Sequence, residues 1–142
     1  MKAPRARKEL TPGEVKRLVA AATRARKNAS APYSKFHVGA ALLTNRGKIY
    51  GGCNVESASY GLTVCAERNA VFSAIADGKR GFRAVAVITD VDPPTPPCGA
   101  CRQVLWDQCR DIEVILAATS GRFERTTMSA LLPRAFEFGG PE

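Results

Sequence analysis

Apolar residues recur along this chain with two different periods, and each change of period marks an element. From Thr11 onward Val15, Leu18, Val19 and Ala22 fall at i, i+3, i+4 and i+7, the stripe of an amphipathic helix. Thr11, Pro12 and Glu14 form a start signal. The hydroxyl caps, proline suits the first helical position, and glutamate completes a capping box. Lys16, Arg17, Arg24 and Lys27 fall largely off the stripe, and the helix is expected to end near Asn28. Residues 30–34 read as a loop and 36–44 as a buried strand. Asn45-Arg46-Gly47-Lys48 is a hairpin turn, and 49–53 is the returning strand. Gly51 and Gly52 in that strand leave room for close approach by a ligand or another backbone.

Residues 54–61 form a polar loop leading to Cys65. Ala66, Ala70, Val71, Ala74 and Ile75 predict a central helix over about 65–77, stopped by Gly78. Residues 84–91 are an apolar run, as in a strand covered on both faces. Pro93, Pro94, Pro96 and Pro97 make a stiff link. A helix over 99–109, strands over 112–118 and 122–127, and a helical turn over 129–132 complete the pattern. Helix, hairpin, helix, strand, helix, strand argues for an α/β domain with helices on both sides of a mixed sheet.

Composition adds bounds. The chain has 142 residues, 45% apolar and 24% charged, which suits one globular domain with its own core. No apolar run is long enough for a membrane span. The N-terminal stretch is basic but lacks the apolar core of a secretory signal, so a cytoplasmic location is expected. The net charge of +8 first suggests nucleic acid. Its placement weakens that: residues 1–27 hold nine Lys/Arg against two Glu, and residues 28–142 hold twelve against eleven acidic groups. Residues 1–10 read as a flexible basic arm and 11–142 as a single domain.

The candidate chemistry lies in Cys65-Ala66-Glu67 and Pro97-Cys98-Gly99-Ala100-Cys101. Five cysteines cannot all pair, and a chain this long needs no disulfide staples. Cys98 and Cys101 have the spacing of a redox pair, but metal binding by reduced thiols is the better reading. Cys65, Cys98 and Cys101 supply three zinc ligands, leaving a fourth position for water. Cys53 or Cys109 as a fourth ligand would instead close the site into a structural one. Glu67, two residues beyond Cys65, favours the catalytic reading, since it can take a proton from water at the open position. An ordinary helix-N-terminal glutamate is the alternative. Two helix starts direct their positive ends at the thiolates, and Arg68 and Arg102 stand close enough in sequence to hydrogen-bond the sulfurs.

These motifs resemble the small zinc-dependent cytidine deaminases of nucleoside salvage, the homotetrameric type. The resemblance is carried by Tyr33-Ser34-Lys35-Phe36-His37-Val38-Gly39-Ala40-Ala41, Gly52-Cys53-Asn54-Val55-Glu56, Ala58-Ser59-Tyr60-Gly61, Cys65-Ala66-Glu67-Arg68, Pro97-Cys98-Gly99-Ala100-Cys101-Arg102-Gln103 and Leu131-Leu132-Pro133-Arg134-Ala135-Phe136. It implies a three-layer α/β/α domain with a mixed five-stranded sheet and one zinc ion per chain. It implies hydrolytic deamination of cytidine and 2′-deoxycytidine, the work of a hydrolase acting on the C–N bonds of cyclic amidines. Glu67 would shuttle protons to N3 and to the leaving amino group.

By the same resemblance Asn54 and Glu56 bind the ribose 3′-hydroxyl, and Ala66 offers its backbone to the base edge. Phe36 packs near the pyrimidine unless it is only a core residue. Tyr60 and Phe136 reach a neighbouring subunit's pocket in a homotetramer with shared sites, with Phe138 a rival for the stacking role. The alternative for each aromatic is burial in its own subunit. Ser57 stands where the family commonly has asparagine, and Pro96 where serine is commoner. Strand alternation turns His37 away from the side Phe36 faces, so it is not expected to be a ligand. Trp106 reads as core or interface. A blasticidin S-like aminonucleoside deaminase is the runner-up. A nucleic-acid-editing deaminase is disfavoured by Cys in place of His before Ala66-Glu67, by the nearly neutral body and by the Asn54/Glu56 pair. A structural zinc or redox module is disfavoured by Glu67.

Overall fold

A computed structural model of the chain describes residues 8–139. Residues 1–7 of the expected basic arm lie outside the described residues. The arm stops short of Leu10, which the structure buries in the core. The Leu10 N–H donates to Glu113 Oε2 at 3.3 Å, and its carbonyl accepts from Arg125 Nη2 at 3.1 Å. Those partners lie more than a hundred positions away, so local sequence gave no sign of them.

Helix α1 spans Pro12–Arg26 and opens with the capping box. Thr11 Oγ1 accepts from the Glu14 N–H at 3.1 Å, and a Glu14 carboxylate oxygen accepts from the Thr11 N–H at 3.0 Å. Arg83 grips the same carboxylate with two nitrogens, at 2.5 and 3.3 Å. Hydrogen bonding to Arg83, aided by the Thr11 N–H, holds the Glu14 carboxyl down at about 2.

There follow β1 (Gly39–Thr44), β2 (Ile49–Cys53), a 3₁₀ turn (Tyr60–Leu62), α2 (Ala66–Ala76), β3 (Phe82–Thr89), α3 (Gly99–Cys109), β4 (Glu113–Ala118), β5 (Phe123–Thr127) and α4 (Met128–Leu131). The strands form one sheet in the order β2-β1-β3-β4-β5. Only β3 and β4 pair in parallel, with Val85 opposite Val114, and α3 makes the crossover between them.

Alternate residues of the central strands feed two separate cores. Leu42, Val85 and Val114 face α2 and α3, whereas Leu43, Ile88 and Ile115 face α1. This makes the three-layer α/β/α arrangement. It also explains why β1, β3 and β4 read as apolar runs without alternation: both faces are covered. No helix among the described residues is long and apolar enough to cross a membrane.

The strand expected over 36–44 begins only at Gly39. Ahead of it, side chains take the role of a neighbouring strand. Asn54 Oδ1 accepts from the Val38 N–H at 2.9 Å, Asn54 Nδ2 donates to the Phe36 carbonyl at 2.7 Å, and Arg26 Nε donates to the His37 carbonyl at 2.8 Å. With residues 36–38 outside β1, the alternation argument for His37 lapses.

The glycines of the hairpin fix the depth at which helices sit. A Cβ at Gly52 would overlap the Ala66 carbonyl and the Ala70 N–H. The backbone of α2 therefore lies directly on β2, and this seats its N-terminus.

Candidate metal and catalytic site

Two helices of eleven residues each deliver the thiols. Cys65 is the N-cap of α2, and Cys98 is the N-cap of α3. Cys101 is the third residue of α3 and is fully buried. Neither sulfur makes a capping hydrogen bond to its own helix, so both can turn toward a shared point. The three sulfurs lie within 4.8 Å of one another, with 3.8 Å between those of Cys65 and Cys98. Tetrahedral zinc with Zn–S bonds of about 2.3 Å separates its sulfurs by about 3.8 Å. The Cys65–Cys98 spacing matches that ion, and the third sulfur lies close enough to complete the donor set. Cys53 and Cys109 are not part of the cluster, so neither closes it.

The electrostatics favour negative sulfur. Both helix N-termini present their partial positive ends here. The hydrogen bond with Cys101, then Arg68, bring the Cys65 thiol down to about 5. The same bond, with burial, pushes the Cys101 thiol up. One thiolate thus forms readily, and a divalent cation supplies the charge that holds the others.

Arg68 Nη2 stands 3.4 Å from Cys65 Sγ and 3.5 Å from the Thr63 carbonyl. Its Nε is buried without a hydrogen-bond partner. Arg102 departs from the expectation of a bond to sulfur. Its Nε donates to the Pro97 carbonyl and its Nη1 to the Leu131 carbonyl, both at 2.8 Å. Adjacent residues on a helix differ by about 100° in direction, so Arg102 cannot face the way Cys101 does. It holds the loop before Cys98 rather than the sulfur.

Glu67 lies in the first turn of α2, is 4% exposed and sits beside Cys101. Burial, above all, holds its carboxyl above the usual carboxylate range. Ala66, the first residue of α2, is fully buried next to it.

Asn54 and Glu56 lie in an extended segment whose middle residue, Val55, bridges Ser30 and Val64, the residue before Cys65. Both have partners already. Asn54 is buried and bonded to residues 36 and 38. Glu56 Oε1 accepts from the Tyr33 and Ser34 N–H groups at 3.0 and 3.1 Å, and Oε2 accepts from the Ser34 hydroxyl. Each side chain keeps unused capacity, one amide hydrogen on Asn54 and free lone pairs on both.

Phe36 is half-buried against the α2/α3 core. Tyr60 and Phe136 are 77% and 70% exposed and do not enter this chain's core; Phe138 is likewise exposed. The Tyr60 ring forms a T-shaped pair with Tyr33, with centroids 6.3 Å apart. Two positioning side chains had no assigned role in the sequence. Ser34 orients Glu56, and Asn69 Nδ2 donates to the Cys53 carbonyl at 2.8 Å, tying α2 to the end of β2. A hydroxyl in the Tyr33–Phe36 loop and an amide one turn beyond Cys65 were the available signals.

Fold and site together define an α/β/α protein with a thiolate metal centre and a buried carboxylate beside it. The model of the cytidine and deoxycytidylate deaminase zinc-binding region matches residues 13–118. A cytidine deaminase of Sporosarcina psychrophila is 50% identical over 124 residues, covering 87% of this chain and 91% of that protein. The crystal structure of cytidine deaminase from Burkholderia pseudomallei superposes with a TM-score of 0.84 at 50% identity, covering 89% of this chain and all of the other. The blasticidin-S deaminase of Bacillus cereus is more distant, 32% identical over 70% of this chain and 76% of that protein. The chain belongs to the cytidine and deoxycytidylate deaminase zinc-binding family. The family's zinc has one three-thiol cluster to occupy among the described residues.

Proposed function

We propose that this chain hydrolyses cytidine and 2′-deoxycytidine to uridine and 2′-deoxyuridine with release of ammonia, a cytoplasmic step of pyrimidine salvage. The observation that carries the reading is Glu67, a carboxyl nine-tenths buried beside three convergent thiols. Burying a carboxyl costs stability, and a proton-transfer role at the adjacent thiol centre gives a reason to keep it there.

Cys65, Cys98 and Cys101 hold zinc, which when bound is a Lewis acid that makes water nucleophilic near neutral pH. Glu67 accepts a proton and returns it, first to N3 of the pyrimidine and then to the C4 amino group. That second transfer turns a poor leaving group into ammonia. The backbone of Ala66 faces the base edge, and Phe36 packs against the ring. Asn54 and Glu56 use their spare hydrogen-bonding capacity on the ribose 3′-hydroxyl. Arg68 stabilises the thiolate of Cys65. The exposure of Tyr60 and Phe136 supports a homotetramer in which those rings complete a neighbour's pocket. Identity of 50% to a cytidine deaminase against 32% to the blasticidin-S enzyme favours the nucleoside over the antibiotic.

The test is a substrate panel of cytidine, deoxycytidine, cytosine, blasticidin S and a short single-stranded oligonucleotide, followed by loss of the amino-pyrimidine ultraviolet band. Turnover of both nucleosides is the expected result. Turnover of the oligonucleotide without cytidine would overturn the reading.

A further inference from the structure

The segment that follows α4 is fastened along one face of α3. Arg102 Nη1 donates to the carbonyl of Leu131, the last residue of α4, and Gln103 Nε2 to the Phe136 carbonyl beyond it, both at 2.8 Å. Farther along, Trp106 Nε1 donates to Glu137 Oε1 at 3.0 Å, and Arg110 Nη1 pairs with that oxygen at 3.0 Å. Gln103, Trp106 and Arg110 advance along the helix at the three- and four-residue steps that share a helix face, and the segment advances with them. The segment therefore runs along α3 away from its thiol-bearing end.

The hydrogen bonds hold a backbone carbonyl and a carboxylate of this segment. Glu137 turns its carboxylate onto the helix, while the rings on either side, Phe136 and Phe138, are 70% and 88% exposed. A segment docking for its own stability would bury rings and leave a carboxylate in water. Here the rings stay in water although three hydrogen bonds, from Gln103, Trp106 and Arg110, hold the segment to the helix.

We propose that Glu137 is a positioning residue. Its bonds to Trp106 and Arg110 fix the segment so that the Phe136 ring is presented in one place, for use at a nucleoside pocket. This rests on the reading of Phe136 given under the proposed function. The clamp belongs to this chain's own side chains: Trp106 is its single tryptophan, so the indole reports on the clamp directly.

The experiment compares zinc-loaded full-length wild type with Glu137→Ala, Glu137→Gln, Phe136→Ala and the double variant Phe136→Ala/Glu137→Ala. Steady-state kinetics on cytidine, zinc content and the indole resonance in a nitrogen–proton correlation spectrum are recorded for each. Glu137→Ala is expected to shift the indole resonance and raise KM about three- to tenfold, with kcat within about twofold, as when uniform binding is lost. Glu137→Gln keeps an acceptor oxygen for the indole and restores most of the affinity. In the Phe136→Ala background, Glu137→Ala adds nothing further, because the clamp acts through that ring. An unchanged KM in Glu137→Ala overturns the proposal. So do multiplying effects in the double variant, or a fall in kcat that tracks zinc loss. Wild type inert toward cytidine overturns the functional reading, and the clamp's role with it. Active wild type with an indifferent Glu137→Ala overturns the clamp alone.

Discussion

Arg68 reaches back one helical turn to Cys65, its Nη2 3.4 Å from the sulfur. A three-residue spacing puts both on one face of α2, and the guanidinium offsets charge that three thiolates would otherwise concentrate. Arg68→Gln is expected to weaken zinc retention about 10- to 100-fold, the range for outer partners of metal ligands. Chelator competition measures it, starting from wild type with about one zinc per chain, the content of a single three-thiol site. Equal retention by the two proteins would assign Arg68 a merely structural role.

Glu67→Ala should lower kcat by at least about 10²-fold, the usual span for a positioned proton-transfer group, while zinc stays bound. Metal analysis beside the kinetics separates the two outcomes. Zinc loss in this variant would make Glu67 a ligand.

The Glu14–Arg83 pair predicts how stability follows pH. The folded-state carboxyl titrates at about 2, below its ordinary value of 4.5. A depressed carboxyl contributes stability that is fully present above 4.5 and is lost as pH falls toward 2. Arg83→Met should cost about 1 kcal/mol at neutral pH, since the pair is part-exposed. The difference in urea midpoint between variant and wild type should shrink as pH drops below 4.5. A constant difference across that range would remove the pair from the account.

Gly52→Ala tests the seating of α2. The added methyl meets the Ala66 carbonyl and the Ala70 N–H, so helix or strand must move. A loss of about 1–3 kcal/mol in urea unfolding is expected, with weaker zinc binding because Cys65 shifts with the helix. An unchanged midpoint would show that the strand gives way freely.

Much of this was legible because its signals are local. Thr11, Pro12 and Glu14 announce α1 by chemistry confined to one turn. The C-x-E and C-x-x-C spacings place thiols and carboxylate at helix starts before any packing is known. What escaped was set by distant partners. Residues 36–38 leave the sheet because Asn54 and Arg26 supply their hydrogen bonds. Leu10 is buried because Glu113 and Arg125 hold its backbone. Arg102 was misdirected for a nearer reason: sequence adjacency to Cys101 was taken for proximity, and helical rotation undoes it.

Cys65 and Cys98 are 33 positions apart, and the chain between them contains α2 and β3. An ion bridging those sulfurs joins the two ends of that stretch in the folded chain and is released when the chain unfolds and the thiols separate. Stability then acquires a logarithmic dependence on free zinc, so the melting temperature becomes a readout of metal supply.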